Sequence, residues 1–233
     1  MDYEGFLKLV RSRRSIRKFT SEPVPDTLVE QVIEAARWAP SGANSQPWEF
    51  VVIREQETKD QIASICMKQM ELLHGAELTR PPEMRWPSAA RPVAKPAWRN
   101  APVLILVCGD ARVNRSFPLM SYLDRGTSHF VSGLASAFLY MSLAAASLGL
   151  GSHWVSQVGH AYPSVLIKKL LDIPEDFTLY DMLALGFPAE LTKPRVVRER
   201  EEMTHWERYD RAKYRSEEQI REFLISLRSP AKT

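Results

Sequence analysis

From Gly126 to Ile167 the chain carries no Asp, Glu, Lys or Arg. A run of that length without charge ends either in the hydrocarbon of a bilayer or in the interior of a folded protein. The part from Phe130 to Leu150 is long enough to span a membrane. It is also rich in Ser, Ala and Gly, and His129 and His153 bracket it. A central helix buried on all sides explains that composition better than a lipid-facing span. The pattern predicts this helix over 127–148, with Gly149 as its cap.

The rest of the chain supplies partners for such a helix. Tyr3 to Arg11 reads as a short amphipathic helix. In "DTLVEQVIEAARWA", Leu28, Val32, Ala35, Ala36 and Ala39 make a helical stripe, with Asp26 as the expected N-cap and Pro40 as the stop. "WEFVVIR", "APVLILVCGD", the residues after Gly149 and "FTLYDMLALGFPA" read as strands. Helices are expected over 58–74 and 163–171, and a last one starts at Ser216. Gly75 to Asn100 has five prolines and two tryptophans, too long for a connector, and reads as a lid or insert. No repeat or linker divides the 233 residues, so a single α+β domain is expected over 1–233, with residues 201–233 as a C-terminal tail and helix.

Several chemistries lack their residues. "GLG" at 149–151 follows a helix and precedes a strand, the reverse of a dinucleotide fingerprint. There is no Gly-x-Ser-x-Gly elbow, no phosphate loop and no His-Glu-x-x-His. The five histidines have no ligand spacing, so no metal is expected. Cys66 and Cys108 suggest no disulfide framework. The N-terminus shows acids before any apolar run and no signal-peptide core, so a cytoplasmic protein is expected.

Two segments stand out. Arg11, Arg13, Arg14, Arg17 and Lys18 place five cations within eight residues, with Ser12 and Ser15 between them. The ordinary reading of such a run is a solvated face. The other is an anion site, because guanidinium forks and hydroxyls are what a phosphate monoester needs. In "APSGANSQPWEF", Ser41, Gly42, Asn44 and Gln46 crowd donors, acceptors and bare backbone into one bend. Such a bend either caps the preceding helix or meets the edge of a flat, heteroatom-rich ring.

Taken together, "RRSIRKF", a helix and "APSGANSQPWEFVVI", then "AAASLGLGSHWVSQV" and "LALGFPAE", resemble the FMN-dependent nitroreductase superfamily over roughly residues 5–200. The resemblance implies a central mixed or antiparallel sheet flanked by helices, with the long helix at a homodimer interface. It implies FMN held by Arg13, Arg14, Ser15 and Arg17, with Arg13 and Ser15 toward the phosphate and ribityl chain and Arg17 toward the pyrimidine edge. Pro40, Ser41, Gly42 and Asn44 would line the isoalloxazine across the dimer. Trp154, Val155 and Ser156 match the strand that passes the flavin, and Gly186 follows the late strand. A basic residue near the end of the family's fold meets the phosphate; Arg198 is the choice here and Arg200 the reserve, because the usual Pro-Leu pair is missing.

The implied activity is ping-pong reduction of a small, aromatic acceptor (a nitroaromatic or a quinone) by NAD(P)H. Trp86, Arg91 and Trp98 in the insert would meet the acceptor. The signature is also similar to that of iodotyrosine deiodinases and of the flavin-destroying enzyme of cobalamin lower-ligand synthesis, so reductive dehalogenation and flavin destruction stand second and third. Outside enzymes, a flavin-binding sensor or a nucleic-acid surface remains open. A net charge of +3 and the lack of a recognised motif argue against nucleic acid.

Overall fold

The computed structural model describes residues 1–190 and 195–227. Residues 191–194 and 228–233, part of the expected basic stretch and the end of the expected tail, lie outside them. The chain groups into two compact units. The first comprises residues 1–69 and 94–192, the second residues 70–93 and 193–233.

In chain order the elements are α1 (Tyr3–Ser12), α2 (Asp26–Arg37), β1 (Trp48–Ile53), α3 (Gln56–Leu78), β2 (Val103–Asp110), α4 (Arg112–Arg115), α5 (Leu119–Ser147), β3 (Gly151–Val155), α6 (Ala161–Leu170), β4 (Phe177–Gly186), α7 (Arg200–Met203) and α8 (Glu217–Ser226). The four strands form one sheet in the order β1-β2-β4-β3, antiparallel throughout. β2 is buried from Val103 to Gly109, which is why "VLILVCG" reads as an unbroken apolar run rather than an alternating one.

The sheet divides two apolar clusters. On one face Val103, Ile105, Leu183 and Leu185 meet α2 and α5 through Val32, Ala36, Leu134 and Phe138. On the other, Leu104, Leu106, Met182 and Ala184 meet Ile62 and Cys66 of α3 and Ile167 of α6. Truncating a large side chain in either cluster removes about 2–5 kcal/mol of stability, since a close-packed interior relaxes only partly into the cavity.

Several boundaries differ from the pattern's expectation. α5 begins at Leu119, upstream of the charge-free run, because absence of charge reports burial whereas helical backbone continues through Asp124 and Arg125. The α2 N-cap is Pro25, not Asp26; Asp26 sits in the first turn and takes an ion pair from Arg54. α6 starts at Ala161, so Pro163 lies inside the first turn, where its missing N–H costs nothing. Nor is α5 buried all round. Val131, Leu139 and Tyr140 are 43%, 44% and 37% exposed, leaving an apolar strip on one side. By length and composition alone, residues 125–147 would suffice to cross a bilayer; here they pack on α2 and the sheet.

α5 ends in a Schellman motif. Leu150 N–H donates to Ala145 O at 2.8 Å, Gly149 N–H to Ala146 O at 3.3 Å, and Gly149 has φ 75°. No atom lies within 4 Å of a Cβ built there, so the demand is on backbone conformation alone. Gly149→Ala is therefore expected to lower unfolding stability by about 1–2 kcal/mol, the left-handed cost for an L-residue. Thermal denaturation showing no change would remove glycine's conformational freedom as the reason for its placement.

Candidate functional site

The cationic segment after α1 is an arm laid along the open edge of the sheet. Its two apolar residues, Ile16 and Phe19, anchor it. Ser15 bridges Ser152 in parallel, and Ile16 N–H donates to Ser152 O at 2.8 Å. Further along, Thr20 N–H donates to Phe187 O at 2.9 Å and Ala189 N–H to Lys18 O at 3.0 Å.

Room for the arm comes from a cross-strand glycine pair: Gly151 of β3 lies opposite Gly186 of β4. A Cβ at Gly151 would sit 2.8 Å from Ile16 Cγ1; one at Gly186 would sit 2.6 Å from Pro102 Cδ and 2.9 Å from Phe19 Cδ1. Gly186, expected at a flavin site, thus has a packing duty of its own. Gly151 carries its own signal in the sequence, since a strand glycine is a usual sign of close approach.

The arm places its cations unequally. Half-buried Arg13 borders a cleft of about 300 Å³ with Ile16, Ala146, Leu150 and Ser152. That volume is at the low end for a ligand pocket. Arg14 folds its guanidinium back to donate through one nitrogen to the carbonyls of Arg11 and Arg13 at the end of α1. Lys18 pairs with Glu190 at 2.9 Å. Arg17 is exposed and lies close enough to His153 for its charge to act on that ring. Burial first, and then Arg17, push the His153 imidazole down to about 4, so it is neutral at physiological pH. Its Nδ1 is buried without a hydrogen-bond partner in the fold.

The bend after α2 is a single tight turn at Gly42–Asn44. Ala43, Asn44 and Gln46 have φ of 52°, 53° and 44°, three non-glycine residues in the left-handed region within four positions. Such backbone costs free energy and persists where its surroundings enforce it. Here Ser41 Oγ accepts Gln46 N–H at 2.9 Å, and the turn rests on α5. A Cβ at Gly42 would meet His129 Cβ at 2.7 Å; one at Gly133 would meet Ser41 Cβ at 3.2 Å. Pro40 and Asn44 are exposed, and Ser41 and Gly42 half-buried.

Arm and bend thus use different stretches of the same helix. The bend sits at Gly133 and the arm's cleft at Ala146. At about 1.5 Å rise per residue, the intervening stretch of α5 is roughly 20 Å long. One copy of the chain does not bring the two segments together.

β3 supplies a wall. Trp154 stacks on Phe138 of α5, ring centroids 4.0 Å apart and 29° between planes. Its indole N–H donates to Asp181 Oδ2 at 2.5 Å, while Trp154 as a residue remains 39% exposed. Asp181 is 9% exposed, and burial pushes its carboxyl up to about 6 against the opposing pull of that hydrogen bond and of His160. Val155 is buried at the end of the strand, and Ser156 has left it for the following turn.

Of the expected acceptor residues, Trp98 is 3% exposed; it packs with Ile62, Leu104 and Leu106 and donates its indole N–H to Gln157. It has no surface to offer a ligand. A proline-rich context suggested a lid, but the segment around Trp98 covers the sheet. Trp86 and Arg91 fall in the second unit, where Trp86 is half-buried, takes Arg221 over its ring at 5.7 Å and donates its backbone N–H to Glu77. Arg91 is exposed. Arg198 and Arg200 also lie in the second unit; Arg198 pairs with Glu202 and Arg200 with Glu201. Among the described residues, no cluster of His, Cys, Asp or Glu is arranged to hold a metal.

Comparison with known proteins bears on this geometry. The family model described as "Nitroreductase family" matches residues 10–187. A Methanothermobacter thermautotrophicus protein, provisionally named an NADH dehydrogenase/NAD(P)H nitroreductase, is 30% identical over 79% of this chain and 78% of its own. The iodotyrosine deiodinase of Drosophila melanogaster is 31% identical over 78% of this chain and 62% of its own. Among solved structures, an iodotyrosine deiodinase bound to FMN and 3-iodo-L-tyrosine superposes with a TM-score of 0.68, at 24% identity, over 87% of this chain and 99% of that one.

Proposed function

This chain belongs to the nitroreductase family, and from that membership we propose that it is an FMN-dependent oxidoreductase acting on a small aromatic acceptor. The observation that carries the reading is the arm docked over Gly151 and Gly186, which sets Arg13 beside a cleft and Arg17 beside His153. The donor set suits FMN: guanidinium groups for a phosphate and for an electron-rich ring edge. When bound, FMN supplies the redox chemistry, taking hydride from NAD(P)H and delivering electrons to the acceptor in a separate half-reaction.

This chain's residues bind, orient and tune. Arg13 and Ser15 hold the phosphate and ribityl side, and Arg17 places positive charge at the pyrimidine edge. Trp154, Val155 and Ser156 flank the ring along β3 and the turn after it. Arg14, whose guanidinium also ties the end of α1, joins Arg13, Ser15 and Arg17 in holding FMN. Trp86 and Arg91 remain candidates for the acceptor, and Arg198 or Arg200 for the phosphate, on the family resemblance alone.

The protein works as a homodimer in this reading. Pro40, Ser41, Gly42 and Asn44 of a second copy complete the site, because the copy that supplies the arm holds its own bend well away along α5. The exposed strip on α5 suits such a partner. Val131, Leu139 and Tyr140 are apolar, while Ser136 Oγ donates to Ser132 O and Ser147 Oγ to Ala144 O within the helix. Covering that strip strands neither hydroxyl. A cytoplasmic setting fits the two buried, unpaired cysteines.

Reductive dehalogenation is the second reading, favoured by the deiodinase relatives. One experiment separates the possibilities. Purified protein is loaded with FMN, reduced by NADH or NADPH without oxygen, and offered a nitroaromatic, a quinone, a halogenated tyrosine and free flavin. Bleaching of the flavin absorbance followed by reoxidation with the nitroaromatic or quinone supports the first reading. Halide release from the halotyrosine supports the second. Protein that stays colourless after FMN addition overturns both.

A further inference from the structure

Asp181 is a poor choice for the interior on energetic grounds. A carboxylate removed from water costs free energy unless its partners return it. Asp181 lies on the α5 face of β4, among Leu183, Leu185 and Phe138. A purely structural role there would be served as well by an apolar side chain. The indole it meets is itself unusual: Phe138 covers one face, Tyr180 approaches edge-on at 6.3 Å, and the ring still keeps open surface. An indole gripped at its N–H and backed by a phenyl ring, yet left partly open, is a plate held for contact.

We propose that Asp181 is a positioning residue of the site: by accepting the Trp154 indole N–H it fixes the indole at the one orientation in which its open surface packs against the flavin. The proposal rests on the flavin reading above and adds a residue to it. Asp181 does not touch the ligand in this account; it acts through Trp154. The competing account is a satisfied buried pair that merely holds β3 to β4.

The groups facing the carboxyl are few. From β3 comes the Trp154 indole N–H, from the segment leading into α6 comes His160, whose charge favours the ionised form, and along its own strand lies the Tyr180 hydroxyl. Burial dominates and holds the carboxyl up to about 6. Protonated below that value and ionised above it, Asp181 grips the indole more strongly as pH rises, because a charged acceptor makes the stronger hydrogen bond. Stability runs the opposite way. A carboxyl raised on folding favours the folded state most below its ordinary value, and that contribution is lost as pH rises through about 6.

The test uses the full chain as wild type, Asp181→Asn, Asp181→Ala and Trp154→Phe. Without FMN, the tryptophan emission of wild type, less that of Trp154→Phe, is followed from about pH 4 to about pH 8. A transition with a midpoint near 6 is expected in wild type and is absent from both Asp181 variants. With FMN, Asp181→Ala is expected to weaken binding about tenfold or more and to change the visible circular dichroism of the flavin. Asp181→Asn, whose amide oxygen still accepts the indole N–H, loses only about threefold and keeps the dichroism. Asn rescue of both readouts is what a merely structural pair does not predict. Should Asp181→Ala melt at lower temperature yet bind FMN with wild-type affinity and dichroism, the proposal is overturned. Wild type that binds no FMN overturns it together with the flavin reading, and shows this before any substitution is made; a flat emission titration with intact FMN binding overturns the Asp181 role alone.

Discussion

Gly151→Val is expected to lift the cationic arm from the sheet and weaken FMN binding at least a hundredfold. Already a bare Cβ at this position would stand 2.8 Å from Ile16 Cγ1 and 2.9 Å from both Ile16 Cβ and Cγ2. Valine adds two methyl groups to that collision. The backbone of Ile16 cannot retreat without giving up its 2.8 Å hydrogen bond to Ser152 O. Overpacking of this kind costs about 3 kcal/mol when the surroundings are tied down. The expected outcome is a folded sheet whose Arg13 and Arg17 are no longer held at the site. Titration of the apoprotein with FMN, beside a thermal melt, measures both parts. Pairing the substitution with Ile16→Ala restores the space and should recover most of the affinity. A single Gly151→Val variant that binds FMN like wild type would remove the arm from the site.

Arg13→Ala carries the next largest effect, a loss of about 2–3 kcal/mol in FMN binding, the scale of a charge-assisted hydrogen bond. Arg13 closes α1 through its backbone N–H to Leu9 O at 3.2 Å, and that bond survives truncation of the side chain. The dissociation constant should rise accordingly, and a thermal melt of the apoprotein beside the titration separates that rise from any loss of fold. Arg13→Lys should restore only part of the affinity, because an ammonium cannot present the planar fork that matches a phosphate. An unchanged dissociation constant in Arg13→Ala would assign the cleft to another ligand.

Much of this was readable along the chain because the signals are local. A left-handed helix stop at Gly149, an unbroken apolar strand at 103–109 and a capping box at Ser216 each follow from a few neighbouring residues. Guanidinium groups interleaved with serines mark a segment whose chemistry suits an anion. Trp98 shows where such reading stops. Five surrounding prolines gave its segment the composition of a lid, yet the indole fills the core beside Leu104 and Leu106. Arg14 shows it again: nothing in its neighbours names the carbonyls of Arg11 and Arg13 as partners of its guanidinium.

Sequence by itself determined which segments become helix or strand, where the long helix stops, and which side chains bring charge and amide groups to the surface. Tertiary structure alone decided that Gly151 would face Gly186 under the arm, that the arm and the bend would lie along different stretches of α5, and that Trp154 would find Asp181. The physical reason is distance along the chain. Periodicity and capping are settled among residues a turn apart, whereas strand register and packing join residues separated by whole elements, and nothing in their local pattern names the partner.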